Sequence, residues 1–230
     1  CALPISIHNV SCYGQSDGAI ILDIQSNYGP LSFAWSNGST NKDLTGVIAG
    51  TYTITVTDSL GCFTTDSFTI QQPATLTDSI HIYHPICGLN NGSVVVYPNG
   101  GTSPYNYLWS VAQTTSNATG LGVGLYTVTI TDDNGCTATQ TVILTDPGPP
   151  ILFTDTIINV KCNGSNTGLI DVNANGGQGG FNYIWNNGST ASLLSNLIAG
   201  TYTVTVTDSV GCTDTLVVTD RKSTRLNSSH

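Results

Sequence analysis

The chain has 230 residues, only 8% of them charged; its 14 acidic side chains are all Asp and face 5 Lys and Arg, for a formal net charge of −9. Such a surface repels phosphate backbones and anionic bilayers, which argues against a nucleic-acid partner. No apolar run approaches the ~18 residues of a membrane span, so membrane insertion is not expected either.

Glu and Met are absent, and Gly, Thr, Ser and Asn stand where helix formers would otherwise be, a composition that points to an all-β protein. The N-terminus lacks the basic start and apolar centre of a signal peptide, so any export signal is expected outside this sequence.

In chain order, the first landmark is Cys12, followed by an alternating strand and then by Leu31, Phe33 and Trp35, an aromatic strand with one face turned inward. Asn-Gly-Ser-Thr follows the Trp. Next come Tyr52, Ile54 and Val56, alternating with Thr51, Thr53, Thr55 and Thr57, and the turn Asp58-Ser59-Leu60-Gly61 leads into Cys62. In that turn Asp accepts bonds from nearby amides and Gly takes a positive φ.

The whole unit then recurs. Trp35, Trp109 and Trp185 are spaced by 74 and 76 residues, as are Cys62, Cys136 and Cys212, while Cys12, Cys87 and Cys162 recur every 75. A period this long exceeds that of solenoid repeats, so each unit is read as a separate small domain. The expected fold is three tandem immunoglobulin-like β-sandwiches of about 75 residues, each of six or seven strands. Their boundaries are set at 1–74, 75–149 and 150–219, with joints at Gln71-Gln72-Pro73 and Asp146-Pro147-Gly148-Pro149-Pro150, where proline stiffens the spacing. Trp35, Trp109, Trp185, Tyr52, Tyr126 and Tyr202 are the expected core aromatics.

Residues 220–230, DRKSTRLNSSH, break with this composition and carry three of the five basic side chains. They resemble a translated sequencing adaptor and are set aside as a non-native tail.

Two cysteines fall in each unit, one before the second strand and one opening the last. Because the first and last strands of such sandwiches are often neighbours, one disulfide is expected within each repeat: Cys12–Cys62, Cys87–Cys136 and Cys162–Cys212. Structural bridges persist in oxidising surroundings, which places the chain outside the cytoplasm. Metal ligation is the rejected alternative, since no Cys-x-x-Cys or in-register His accompanies the cysteines. Cys1 has no counterpart.

Catalysis is not expected. His8, His81 and His84 have no matched partner in the third repeat, and every repeating Asp lies in a turn. Asp132, Asp133 and Asn134 are the strongest calcium set, although Ser replaces the second residue in the other two copies, so turn formation is the preferred reading and no cofactor is expected. Lys42 and Lys161 are not equivalent, which removes a repeated Lys-Asn cross-link. Asp-Ser/Thr-aliphatic triplets mark Ser59, Ser79, Thr156, Ser209 and Thr215 as candidate O-glycosylation sites.

Cys, Gly, an alternating strand, aromatic-x-Trp, Asn-Gly-Ser-Thr and Gly-Thr-Tyr-Thr-Val-Thr-Val-Thr-Asp-x-x-Gly-Cys together resemble the SprB-type repeat of large surface adhesins of gliding bacteria. The resemblance extends over residues 5–219, and its most specific part is the stretch from Tyr to Gly-Cys. The second repeat departs from it, with Gly124-Leu125 for Gly-Thr and no Asn-Gly-Ser-Thr after Trp109. A more distant likeness is to polycystic-kidney-disease-type domains. The resemblance implies a cell-surface or secreted location, associated with the outer membrane through parts outside this sequence, and a role in cell adhesion or gliding motility as a stalk or multivalent binder. The implied partners are neighbouring repeats and a surface polysaccharide or substratum. The alternative is an accessory or carbohydrate-binding module of a secreted hydrolase.

Overall fold

A computed structural model describes residues 5–24, 29–161 and 165–221; Cys1, Cys162 and residues 222–230 lie outside them. The described residues form eighteen strands and no helix.

Six strands make each repeat. The first has β1 (Ile5–His8), β2 (Gly18–Leu22), β3 (Ser32–Trp35), β4 (Leu44–Val47), β5 (Gly50–Thr57) and β6 (Phe63–Ile70). The second has β7 (Thr77–Tyr83), β8 (Gly92–Asn99), β9 (Asn106–Trp109), β10 (Asn117–Leu121), β11 (Gly124–Thr131) and β12 (Thr137–Leu144). The third has β13 (Pro150–Ile158), β14 (Gly168–Gly176), β15 (Asn182–Trp185), β16 (Leu193–Leu197), β17 (Gly200–Thr207) and β18 (Thr213–Asp220).

Each set forms two three-stranded sheets in the same order: β1-β2-β4 with β3-β5-β6, β7-β8-β10 with β9-β11-β12, and β13-β14-β16 with β15-β17-β18. The chain therefore changes sheet after its second, third and fourth strands, as an immunoglobulin-like sandwich does. Close packing divides the chain into two compact units. One is residues 1–81, 95–118 and 126–142, which holds the first repeat and one end of the second; the other is residues 82–94, 119–125 and 143–230, with the opposite end of the second repeat and the third.

The alternation read from sequence fixes which side chains go inward. β5, β11 and β17 share one burial pattern, with Ile54 and Val56, Val128 and Ile130, and Val204 and Val206 all buried. In the first repeat these pack with Val10, Ile20, Leu22, Trp35, Leu44 and Ile70. The third repeat gathers Ile170, Val172, Trp185, Leu194 and Val218 in the same way. Burying such side chains is worth roughly 1.5–3 kcal/mol each and is the main term holding a small sandwich together.

Trp35, Trp109 and Trp185 are buried, and each indole Nε1–H donates to a backbone carbonyl six residues on, at Asn41 (2.9 Å), Thr115 (2.9 Å) and Ala191 (2.7 Å). The Trp hairpin also closes alike in all three. Trp109 N–H donates to Gln113 O and Ala112 N–H to Trp109 O, matching Trp35 with Ser39 and Gly38, and Trp185 with Ser189 and Gly188. The missing Asn-Gly-Ser-Thr of the second repeat thus leaves its loop unchanged, at the cost of holding Ala112 at φ 59° where the others have glycine.

Tyr52, Tyr126 and Tyr202, the expected core tyrosines, are half-buried, and Tyr52 and Tyr202 pack against the buried clusters of their repeats. Tyr52 Oη–H donates to Ile48 O and Tyr202 Oη–H to Ile198 O, both at 2.9 Å, tying the strand entrance to the corner before it.

β18 runs through Asp220, the first residue set aside as non-native. Asp220 stands where the first repeat has Ile70 and the second Leu144, and all three are buried.

Candidate functional site at the repeat joints

The turns that precede the second cysteine of each repeat are built on one Asp. Asp132 Oδ1 accepts from Asn134 N–H (3.0 Å) and Cys136 N–H (2.8 Å); Asp208 Oδ1 accepts from Val210 N–H (3.1 Å) and Cys212 N–H (2.9 Å). Asp58 makes the same pair with Leu60 (2.8 Å) and Cys62 (3.0 Å). The second oxygen is used as well, since Asp132 Oδ2 accepts from Thr102 N–H and Asp208 Oδ2 from Gln178 N–H. Burial pushes the Asp208 carboxyl upward, but the amides of Gln178, Cys212, Val210 and Gly211 outweigh it and hold the group below the ordinary Asp range. The hairpin thereby presents its cysteine at a fixed tip.

The loop between the first two strands of each repeat, which holds Cys12 in the first and Cys87 in the second, is also pinned. The residue before the cysteine donates its N–H to the side chain that precedes the next strand's glycine: Ser11 to Asp17, Ile86 to Asn91 and Lys161 to Thr167. Ser11 Oγ–H adds a second bond to Asp17, and the hydroxyl, followed by the amide, lowers the Asp17 pKa. Asp, Asn and Thr before Gly in three copies were the overlooked sequence signal. Three residues before the cysteine, Asn9, His84 and Asn159 accept from the N–H groups of Gln71, Thr145 and Arg221. His84 thus has an assigned structural place, as a substitute for Asn.

The disulfides join these two elements across repeats, which corrects the pairing expected from sequence. Cys12 is bonded to Cys136, with S–S 2.04 Å and Cα–Cα 5.7 Å. Cys87 is bonded to Cys212, with Cα–Cα 5.2 Å, and Cys62 is free and exposed. None of the expected Cys12–Cys62, Cys87–Cys136 and Cys162–Cys212 bonds is formed among the described residues, and Cys162 itself lies outside them.

Strand length explains the correction. The Cys12 loop lies beside the end of β6, where Val10 N–H donates to Gln71 O at 3.1 Å and Gly14 N–H to Gln72 Oε1 at 3.0 Å. Cys62 lies just before β6 begins. Eight residues of strand separate them, about 25 Å at the usual rise, whereas a disulfide needs Cα atoms within about 7 Å. The third repeat has the same build: Cys212 opens β18, and the loop leading to Cys162 is tied to its far end through Val160 N–H to Asp220 Oδ1 and Arg221 N–H to Asn159 Oδ1. At Cys12 and at Cys87 it is the next repeat's hairpin that reaches the loop cysteine.

Around Cys12–Cys136 the contact is polar. Asn134 Nδ2–H donates to Ser11 O (3.1 Å) and to Thr102 Oγ1 (3.0 Å), and Tyr13, Leu76 and Thr137 border an open cleft beside the sulfurs. Beside Cys87, Gly88 N–H donates to Asp146 Oδ2 at 2.7 Å while Asp146 Oδ1 accepts from Gly148 N–H, so the Asp-Pro-Gly-Pro-Pro linker is tied to the cysteine loop.

Asp132, Asp133 and Asn134 serve this joint as hairpin residues. Asp132 directs both oxygens at backbone amides, Asp133 N–H donates to Thr102 O, and Asn134 bridges to Ser11, which leaves no convergent carboxylate cluster there. Of the triplet hydroxyls, Ser59, Ser79, Thr156, Ser209 and Thr215 are all exposed. Ser209 Oγ–H donates to Gln178 O at 2.7 Å, and Thr215 Oγ1 pairs across strands with Thr205 Oγ1 at 3.1 Å.

The family model of the SprB repeat matches this sequence at residues 5–40, 85–114 and 154–190. These three stretches, which together make up less than half of the chain, are similar to the SprB repeat. In each repeat the matched stretch runs past the Trp hairpin and stops before the Tyr-to-Gly-Cys strand, which was expected to be the most specific part. No curated protein matches the chain. Among solved structures, the three N-terminal domains of the bacteriophage RB49 highly immunogenic outer capsid protein align over 96% of this chain and 97% of that one, at 14% identity and TM-score 0.45. The N-terminal eight immunoglobulin domains of Down syndrome cell adhesion molecule align over 96% of this chain and 36% of theirs, at 14% identity and TM-score 0.43. Sidekick-1 immunoglobulin domains 1–5 align over 96% and 58%, at 10% identity and TM-score 0.41.

Proposed function

We propose that the chain is a covalently jointed segment of a cell-surface array of SprB repeats, acting as a stalk or multivalent adhesive element and not as an enzyme. The observation that carries this reading is the Cys12–Cys136 bond, which spans a joint and not a core. A bond inside one sandwich stabilises that sandwich alone. A bond from one repeat's loop to the next repeat's hairpin keeps neighbours attached when the Gln71–Thr75 connection is pulled or cut, which is what a load-bearing surface strand requires. It also supports an oxidising location, where such bonds persist.

Adhesion to a polysaccharide or substratum, and a part in gliding, belong to this proposal. Many weakly binding copies held at fixed spacing gain avidity without any strong single site. Brief protease treatment of intact cells of the native host tests the location: peptides of this chain are expected in the supernatant before lysis, and their appearance only after lysis contradicts the proposal. Beads carrying the oxidised chain, offered to a glycan array, test the binding.

A further inference from the structure

Cys62 occupies the hairpin position of Cys136 and Cys212, at the same distance after the turn Asp and with the same Asp Oδ1 bond to its N–H. The two equivalents are bonded to the loop cysteine of the preceding repeat, while Cys62 is free and exposed. A second observation at the same tip points to a missing cover. Leu60 and Phe63, which flank the thiol, are 73% and 72% exposed, the two largest exposures among the large hydrophobics of the described residues. Their counterparts at the first joint are Asn134, bonded to Ser11 O, and Thr137, bordering the cleft beside the disulfide.

We infer that the Cys62 hairpin is a docking end that receives the loop cysteine of another SprB repeat and closes a disulfide with it, so that bridging continues from repeat to repeat as a ladder. Within the chain as it exists, the cysteine assigned that part is Cys162 of a second copy; it lies outside the described residues but stands in sequence where Cys12 and Cys87 stand. The two thiols lose two protons and two electrons as one S–S bond forms, and a small-molecule disulfide takes both and is reduced to two thiols. The inference rests on the joint geometry and is independent of where the array is displayed.

Complementary variants of the full chain, in a Cys1→Ser background, test it. Cys62→Ser removes the docking thiol and Cys162→Ser removes its proposed partner, so neither can extend a ladder by itself. In a buffer of glutathione and its disulfide, with both native bridges formed, the mixture is expected to give a reductant-sensitive dimer about tenfold in excess of either variant alone, a docking preference of about 1.4 kcal/mol. Peptide mapping is expected to place the new bond at Cys62–Cys162. Equal dimerisation of Cys162→Ser alone, through Cys62–Cys62, overturns the inference, as does a mixture that stays monomeric. Because Cys62 is exposed, its Ser variant is expected to melt with the parent, which separates failure of docking from failure of folding.

Discussion

A Cβ placed on Gly168 would stand 1.9 Å from Asp220 Oδ2, and that oxygen, buried, has no hydrogen-bond partner. In the other repeats the same glycine faces hydrocarbon: Gly18 lies against Ile70 Cγ2 and Gly92 against Leu144 Cδ2. The carboxylate therefore occupies a core position that the fold fills with Ile or Leu.

Asp220→Ile is accordingly expected to stabilise the third repeat. Removing an unpaired buried oxygen and restoring apolar contact is worth about 1–3 kcal/mol, less the bond from Val160 N–H to Asp220 Oδ1, which the first repeat replaces by Val10 N–H to Gln71 O. Thermal denaturation of oxidised protein should show a higher midpoint; an unchanged or lower one contradicts the account.

Ala112→Gly is a second stabilising change. Ala112 is held at φ 59° in a hairpin where Gly38 and Gly188 stand at 87° and 85°. Relief of the left-handed strain, offset by glycine's larger unfolded entropy, should leave a gain of about 0.5–1 kcal/mol in denaturant titration. Gly38→Ala and Gly188→Ala should move the other way.

Asp208 sets an acid limit. Its pKa lies below the ordinary value because four backbone amides outweigh burial. A depressed carboxylate contributes stability that is fully present above the unfolded pKa and is lost as pH falls through the lower folded one. Melting temperature against pH should therefore fall at acid pH for the parent. Asp208→Asn should melt lower at neutral pH and show a shallower acid limb. Parallel curves would remove Asp208 as the cause.

Tyr202→Phe deletes the bond to Ile198 O while keeping the ring. A loss of about 0.5–1.5 kcal/mol is expected by denaturant titration, and Tyr52→Phe should behave alike through Ile48 O. No loss in either would show that the hydroxyl is ornamental to the corner.

Local chemistry was legible in the sequence where it is local in space. Alternation placed Ile54, Val56 and their equivalents, the recurring Trp placed the core, and Asp-x-x-Gly placed the hairpins. The cysteine pairing was not legible from the period: a repeat of 75 residues keeps Cys12 in register with Cys62 and with Cys136 alike, and nothing periodic chooses between them. The choice lies in the eight residues of β6, which hold Cys12 and Cys62 at opposite ends of one sandwich. Counting that strand would have found it. Asp220 was hidden for a different reason, since a boundary drawn by composition cannot see that a strand continues one residue further.

The bridges across the joints carry everything else, and tryptic digestion of thiol-blocked, unreduced protein tests them most directly. Cleavage after Lys42, Lys161 and Arg221 gives peptides 1–42, 43–161 and 162–221. With Cys12–Cys136 and Cys87–Cys212 formed, all three stay joined and separate only on reduction. Release of peptide 162–221 without reductant, carrying its own Cys162–Cys212 bond, would contradict the account.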